Sequence, residues 1–193
     1  MPRKIGIGQL FLSLQRNTAL LLSDMAQPTA EYDFLYDSPI GQLGLCIDKE
    51  SITRVVWLEE KVSEPSKLFR KKLIPSKSNN NLQKQMVIEA LDNYFNSGLF
   101  ESEIPLRPQG TPFQLKVWQA LKTIPFGSVR TYGDVAKECH SSSRAVGQAC
   151  RRNNIPLFIP CHRVVAAKGL GGFMGGYRHV GRKRWLLQHE GIL

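Results

Sequence analysis

Hydrophobic periodicity changes once along this chain, and that change limits the folds open to it. Up to Glu59 the apolar residues fall in short runs rich in aromatic and β-branched side chains, at 34–36, 43–47 and 53–57. The turn-like stretches DSPIG and DKES lie between them, so the region reads as an antiparallel sheet. From Leu82 the spacing becomes helical, with Met86, Val87, Ala90, Leu91, Tyr94 and Phe95 recurring until NSG closes the run. The next segment, TPFQLKVWQALKTIPFG, opens with a Thr cap and a Pro at the first helical position. It carries Phe113, Val117, Trp118 and Leu121 on one stripe. Strands first and helices afterwards, without an internal repeat, make the chain α+β. The expected architecture is a small N-terminal antiparallel sheet with a helix, followed by a mainly helical C-terminal part. Polar residues 61–81 and the stretch IPLRPQG read as linkers. They divide the chain into an extension (1–30), an N-terminal α/β domain (31–105) and a C-terminal domain (106–193).

Charge divides the chain in nearly the same place. The net charge is +10, and from Thr111 to the end there are 13 Lys/Arg against 3 Asp/Glu, so residues 1–110 are neutral. A positive field confined to one half points to a polyanion such as nucleic acid, with a merely solvated basic surface as the alternative. Within that half, SVRTYGDVAKECHSSSRAVGQACRRNNIP reads as two short helices, about 132–138 and 142–152, across a Ser-rich break. Ser141 or Ser142 would cap the second helix, which carries Arg144, Arg151 and Arg152. Many helical hairpins look like this, but in a basic half the pattern fits a helix-turn-helix. A last helix runs from about Lys183 to Gln188 or His189.

Four cysteines without CxxC spacing or paired histidines argue against a zinc ribbon and a disulfide framework, and for a reducing compartment. No run approaches the roughly 18 apolar residues of a membrane span. The first 30 residues mimic a secretory signal, but Gln15, Arg16 and Asn17 interrupt the apolar stretch, so a cytoplasmic protein with a plain extension is expected. Three cysteines read as packing residues. Cys161 differs: it follows IPLFIP, is flanked by His162, and precedes the glycine pairs of GLGGFMGG. A single placed thiol beside a histidine is a nucleophile candidate. In an extended segment, however, the two side chains point to opposite faces. A buried inert cysteine therefore stays open as the alternative.

The segments TPFQLKVWQALKTIPFGSVRTYGDVA, SRAVGQACRRN, IPCHRVV and WLLQHEG, in this order and spacing, resemble the O6-alkylguanine-DNA alkyltransferases. The resemblance runs from about 32 to 191 and is strongest from Thr111 onward. It implies a direct-reversal DNA repair protein, monomeric, cytoplasmic (nuclear in a eukaryote), without metal or cofactor, consumed in a single turnover. Its partner would be double-stranded DNA carrying O6-alkylguanine, with O4-alkylthymine left open, and no membrane or obligate protein partner. By position Cys161 would be the alkyl acceptor, His162 its base through a water, Glu190 the carboxylate orienting His162, and Asn153 a bridge to the recognition helix. Tyr132, Phe173, Met174 and the carbonyls of Cys161 and Val164 would form the guanine pocket. Arg144 would fill the gap left by the flipped base. Ser143, Ala145 and Gly147 would be the small residues pressed into the minor groove, and Arg151 a phosphate contact. The run Arg182-Lys183-Arg184 offers further phosphate contacts or a solvated face. Phe173 and Met174 stand where a tyrosine and often a serine are expected, which leaves open how bulky an alkyl group fits. Residues 177–184 also look longer than the usual pattern. The rival readings are a non-catalytic alkylated-base or helix-turn-helix DNA-binding protein, and a thiol hydrolase.

Overall fold

The computed structural model describes residues 32–58, 81–97, 103–176 and 179–193. The expectations for 1–30 and for most of the 61–81 linker lie outside these residues. Three strands, β1 (Phe34–Ser38), β2 (Gly41–Asp48) and β3 (Ser51–Trp57), form an antiparallel sheet in sequence order. The first turn pairs Ser38 with Gly41, whose φ of 117° only glycine holds comfortably. Alternation puts Leu43 and Leu45 into the core with Phe34, and a register shift at Cys46/Ile47 lets both Ile52 and Val55 of β3 join them. On the far side of β3 the linker residues Pro105 and Arg107 bond to Ile52, so part of IPLRPQG acts as an added sheet edge.

Helix α1 (Asn81–Ser97) covers this sheet. Tyr36 stacks on Phe95 with ring centroids 6.0 Å apart, and its hydroxyl donates to Asp92 at 3.0 Å. Helix α2 (Pro112–Lys122) begins as its sequence demands. Thr111 caps it, Gln114 reaches back to the Thr111 N–H, and Pro112 occupies the first turn. Trp118 on its buried face donates through Nε1 to the Ala149 carbonyl, 2.9 Å away.

Two short strands bring the two halves of the site together. Strand β4 (Arg130–Thr131) leads straight into α3 (Tyr132–Glu138), capped by Thr131 with Asp134 reciprocating. After a turn, Ser142 caps α4 (Ser143–Arg151). Strand β5 (Val164–Val165) pairs parallel with β4, Arg130 opposite Val164 and Thr131 opposite Val165. The entry to the helical hairpin is thereby fixed against the chain leaving Cys161. The last helix, α5 (Val180–His189), starts three residues earlier than the sequence suggests.

One continuous core runs from Phe34 in the sheet to Leu186 in α5. Residues Tyr32–Leu193 form a single compact unit. None of the described helices is long and apolar enough to cross a membrane.

Candidate active site

Prolines around Cys161 suggest a strand-like presenter; the chain is folded more tightly than that. Leu157 adopts φ 73°, Pro156 bridges to Ile159, and Cys161–Arg163 form a 3-10 turn before β5. A tight turn breaks the strict alternation of a strand, so adjacency of Cys161 and His162 no longer forces them apart. All three residues of the turn are buried, with Cys161 at 3% and His162 at 1% exposure. Asn153 holds the turn from behind, donating through Nδ2 to the Ile159 carbonyl at 2.8 Å and accepting from the Ile155 N–H at 3.1 Å.

Behind His162 lies a buried carboxylate with four donors. Glu190 Oε1 is 2.7 Å from His162 Nε2, 3.0 Å from Arg163 Nη2 and 2.9 Å from the Tyr94 hydroxyl, and Oε2 accepts from Arg163 Nε at 2.8 Å. Arg163 also donates through Nη1 to the Ile124 carbonyl. Burial by itself would raise the Glu190 pKa, but the His162 bond and the Arg163 guanidinium outweigh it and hold the group at about 2. An ionised carboxylate can only accept, so Nε2 of His162 carries the proton and Nδ1 presents a bare lone pair. That Nδ1 is buried and has no hydrogen-bond partner among the described residues. Burial lowers the His162 pKa, only partly countered by Glu190, and raises that of Cys161 against the pull of Asn153 and Lys183. The resting pair is a neutral thiol and a neutral, oriented imidazole.

Cys161 opens onto a cavity of about 440 Å³ walled by α3, α4 and the glycine loop. Tyr132, Phe173 and Met174, expected around the base, line it together with Ser143, Arg144, Gly147 and Arg151, expected against DNA. Ala145 and Val164 are not part of the lining. Residues 173–176 close on themselves through paired backbone bonds of 3.1 and 3.0 Å between Phe173 and Gly176. Met174 (φ 46°) and Gly175 (φ 87°) both lie in the left-handed region, the signature of a type I′ turn. Arg151 packs over this turn, near enough that a Cβ on Gly175 would sit 2.9 Å from its Nε. Arg144 and Ser143 are exposed at the start of α4.

Four residues of the site have roles that the sequence does not single out. Lys183, grouped there with its arginine neighbours as a phosphate contact or solvated face, is fully buried (0% exposed). Its ammonium donates to the carbonyls of Val164 and Gly172 and lies 5.6 Å from the Tyr132 ring centroid. Burial lowers its pKa to about 8, although the nearby Cys161 and Cys150 thiols oppose the shift. A signal was present: Lys183 precedes the buried Leu186 and Leu187 by three and four positions, which places it on their face. Arg182 is likewise engaged, donating to the Ile40 carbonyl and lying over Trp57, whose ring meets Phe173 edge-on at 6.0 Å. Tyr94 sits on the apolar stripe of α1, and only the fold reveals what its hydroxyl faces. Cys150, read as a packing residue, lines the cavity beside Cys161.

A helical hairpin whose second helix forms one wall of a cavity, with a buried thiol in the lining and an oriented imidazole and carboxylate behind it, defines a thiol-dependent protein with a basic helical half. Comparison with known proteins narrows the class. The family described as 6-O-methylguanine DNA methyltransferase matches twice, its ribonuclease-like domain over residues 32–108 and its DNA binding domain over 112–192. The methylated-DNA–protein-cysteine methyltransferase of Haemophilus influenzae is 40% identical over 169 residues, covering 85% of this chain and 88% of that one. Its namesake from Methanosarcina acetivorans is 38% identical, covering 83% and 98%. Among solved structures, Mycobacterium tuberculosis OGT in complex with DNA matches with a TM-score of 0.65 at 35% identity, over 81% of this chain and 90% of that one. The chain belongs to the O6-methylguanine DNA methyltransferase family.

Proposed function

We propose that this protein repairs DNA by direct reversal, taking the alkyl group from O6 of a flipped guanine onto Cys161 in a single turnover. The observation that carries this reading is the pairing of a neutral buried thiol with an imidazole whose Nδ1 is left bare by the Glu190 bond to Nε2. His162 Nδ1 takes the thiol proton through one water, and Glu190 stabilises the imidazolium that forms. The thiolate sulfur then bonds to the alkyl carbon as the carbon–O6 bond breaks. The electron pair passes to guanine, which leaves restored after taking a proton. A thioether remains, and nothing in the relay can cleave it, so each chain acts once.

Guanine inside a duplex hides O6 in the stack and must be turned out. Arg144 fills the gap, a role supported by its exposure at the start of α4 and its position in the cavity lining; Ser143, Ala145 and Gly147 keep that helix slim enough for a minor groove. Tyr132 donates to the Gly172 carbonyl at 3.3 Å, a bond it exchanges for one to the incoming base. Phe173 supplies a stacking face, the Met174 N–H a donor to O6, and the Val164 carbonyl an acceptor for the exocyclic amine. Lys183 already occupies one lone pair of that carbonyl, and a carbonyl has two. Arg151 serves as a phosphate contact at the loop it packs against. In this division of labour residues 106–193 bind DNA and react, while 31–105 brace the relay. The protein works as a cytoplasmic monomer without a metal, cofactor or obligate protein partner, and O4-alkylthymine is its secondary lesion.

The test is the intact mass of the full chain after incubation with a duplex carrying O6-methylguanine. One methyl group per chain, located on Cys161, is expected, with none on Cys161→Ala. Repeated turnover would favour hydrolase chemistry, and binding without modification would favour a non-catalytic reader; either outcome overturns the proposal.

A further inference from the structure

The relay has a member from outside the DNA-binding half. Three of the four donors on Glu190 come from the turn Cys161–Arg163 itself, two from Arg163 and one from His162. Residues joined by a peptide bond fix the carboxylate relative to each other. Arg163 also ties it to the chain just after α2, through the Ile124 carbonyl. The fourth donor ties it to α1. Tyr94 projects from α1, is 1% exposed, and places its hydroxyl 2.9 Å from Oε1, the oxygen that also receives His162 Nε2. We propose that Tyr94 is a positioning residue of the alkyl-transfer relay, anchoring Glu190 Oε1 and moderating its hold on His162.

The anchorage is doubled along the backbone. Tyr94 also offers its carbonyl to His189 Nε2 at 2.6 Å, so α1 grips the residue before the carboxylate as well as the carboxylate. The ring is held edge-on by Phe95 at 5.0 Å, His189 at 5.3 Å and Phe126 at 6.3 Å, which leaves the hydroxyl little choice of direction. Burial, with the Glu190 charge beside it, drives the Tyr94 pKa far above the usual tyrosine value, so the hydroxyl is a donor at every working pH. The moderating role follows from sharing. An oxygen that accepts from Tyr94 concentrates less negative charge on His162 Nε2–H than one that does not. Without Tyr94, Oε1 stabilises the imidazolium more strongly, and His162 protonates at higher pH. The other groups acting on this pair, Arg163 from the turn and Lys183 from α5, both oppose the imidazolium and are unchanged by a substitution at Tyr94.

The inference rests on the relay proposed above, and the experiment separates the two. Single-turnover methyl transfer from an O6-methylguanine duplex is followed against pH for the full chain, Tyr94→Phe, Phe126→Leu and Cys161→Ala. Tyr94→Phe keeps the ring and loses only the donor. Its plateau rate is expected to fall at least about 10-fold, as for loss of a hydrogen bond to a charged group. Its acid limb, set by protonation of His162, is expected to move to higher pH, with DNA affinity unchanged. Phe126→Leu loosens the same ring and removes the aromatic face 5.9 Å from the Arg163 guanidinium, but takes no donor from Glu190; it should lower thermal stability while leaving the limb in place. A Tyr94→Phe profile that superimposes on the parent, or a loss of rate without movement of the limb, overturns the inference and leaves the relay standing. Methyl acceptance by Cys161→Ala overturns the relay itself. Independently of whether Tyr94→Phe folds, protons of the Tyr94 hydroxyl and of His162 Nε2 that share one oxygen should give a mutual NMR cross-peak in the Cys161→Ser protein. Its absence near neutral pH overturns the inference.

Discussion

At the scale of single residues, the site is governed by one buried charge. Glu190 is 3% exposed and survives as an anion because His162, Arg163 and Tyr94 together replace the water it has lost. Its folded-state pKa of about 2 lies below the ordinary 4.5. Below 4.5 the unfolded chain therefore binds more protons than the folded one, and stability falls as pH drops. The Glu190 contribution is complete above about 4.5 and is lost as pH falls towards 2. Glu190→Gln leaves the Arg163 guanidinium buried and uncompensated, so it should cost about 3 kcal/mol or more in urea unfolding. It should also remove most of the acid-induced loss between pH 4.5 and 2. Equal stability of the two proteins at pH 7 would contradict this account. Glu190 is legible in the sequence only through its place in WLLQHEG, since an acid near a C-terminus otherwise reads as exposed. Lys183 misleads in the opposite direction, because charge alone suggests solvent and only its spacing from Leu186 and Leu187 suggests burial.

At the scale of elements, local signals and outcomes agree closely where caps decide the matter. Thr111, Thr131 and Ser142 each accept a backbone bond at the start of the helix they precede, and two of the three have reciprocal partners. Such bonds span three residues, so a linear sequence contains them whole. The short helix α4 depends on being held: Trp118 ties its last turn, and the β4–β5 pair fixes the hairpin beside Cys161. Arg144→Ala should reduce alkyl transfer from duplex DNA about 10-fold while leaving reaction with free O6-methylguanine unchanged. The two rates measured side by side decide whether Arg144 acts on the duplex or on the chemistry. A parallel loss of both would place its role in the pocket. The turn around Cys161 was less legible. Two prolines and an apolar run fit an extended strand as well as they fit a 3-10 turn. The choice is made by Asn153 and Leu157, through contacts the local pattern does not contain.

At the scale of the whole molecule, net charge of +10 is carried by the residues from Thr111 onward, while those before them are neutral. Affinity for an undamaged duplex should therefore fall at least about 10-fold between roughly 50 and 200 mM salt, through release of condensed counterions. A filter-binding or anisotropy titration across that range checks it. Salt-independent binding would mean that the basic half does not face phosphate. The neutral part is tied to the reactive part by specific bonds: Val55 N–H to the Asn154 carbonyl, Arg182 to Ile40 and Trp57, and Tyr94 to Glu190. The sheet and α1 thus meet the site at both ends, at the pocket wall through Trp57 and Phe173 and at the relay through Tyr94.

Periodicity, caps and charge asymmetry are properties of neighbouring residues or of sums over residues. By themselves they determine the α+β order, the helical hairpin and the basic half, and the ordered motifs single out the Cys161 thiol. What faces what depends on segments separated by 28 to 96 positions, as His162 and Tyr94 are from Glu190. No local pattern encodes such a meeting. Tertiary structure decided that Lys183 is buried against the Val164 and Gly172 carbonyls, that His162 is left with one bare nitrogen, and that a tyrosine from α1 meets Glu190. Burying a charge is tolerable only where several distant donors converge on it, and convergence of that kind exists only once the chain has folded.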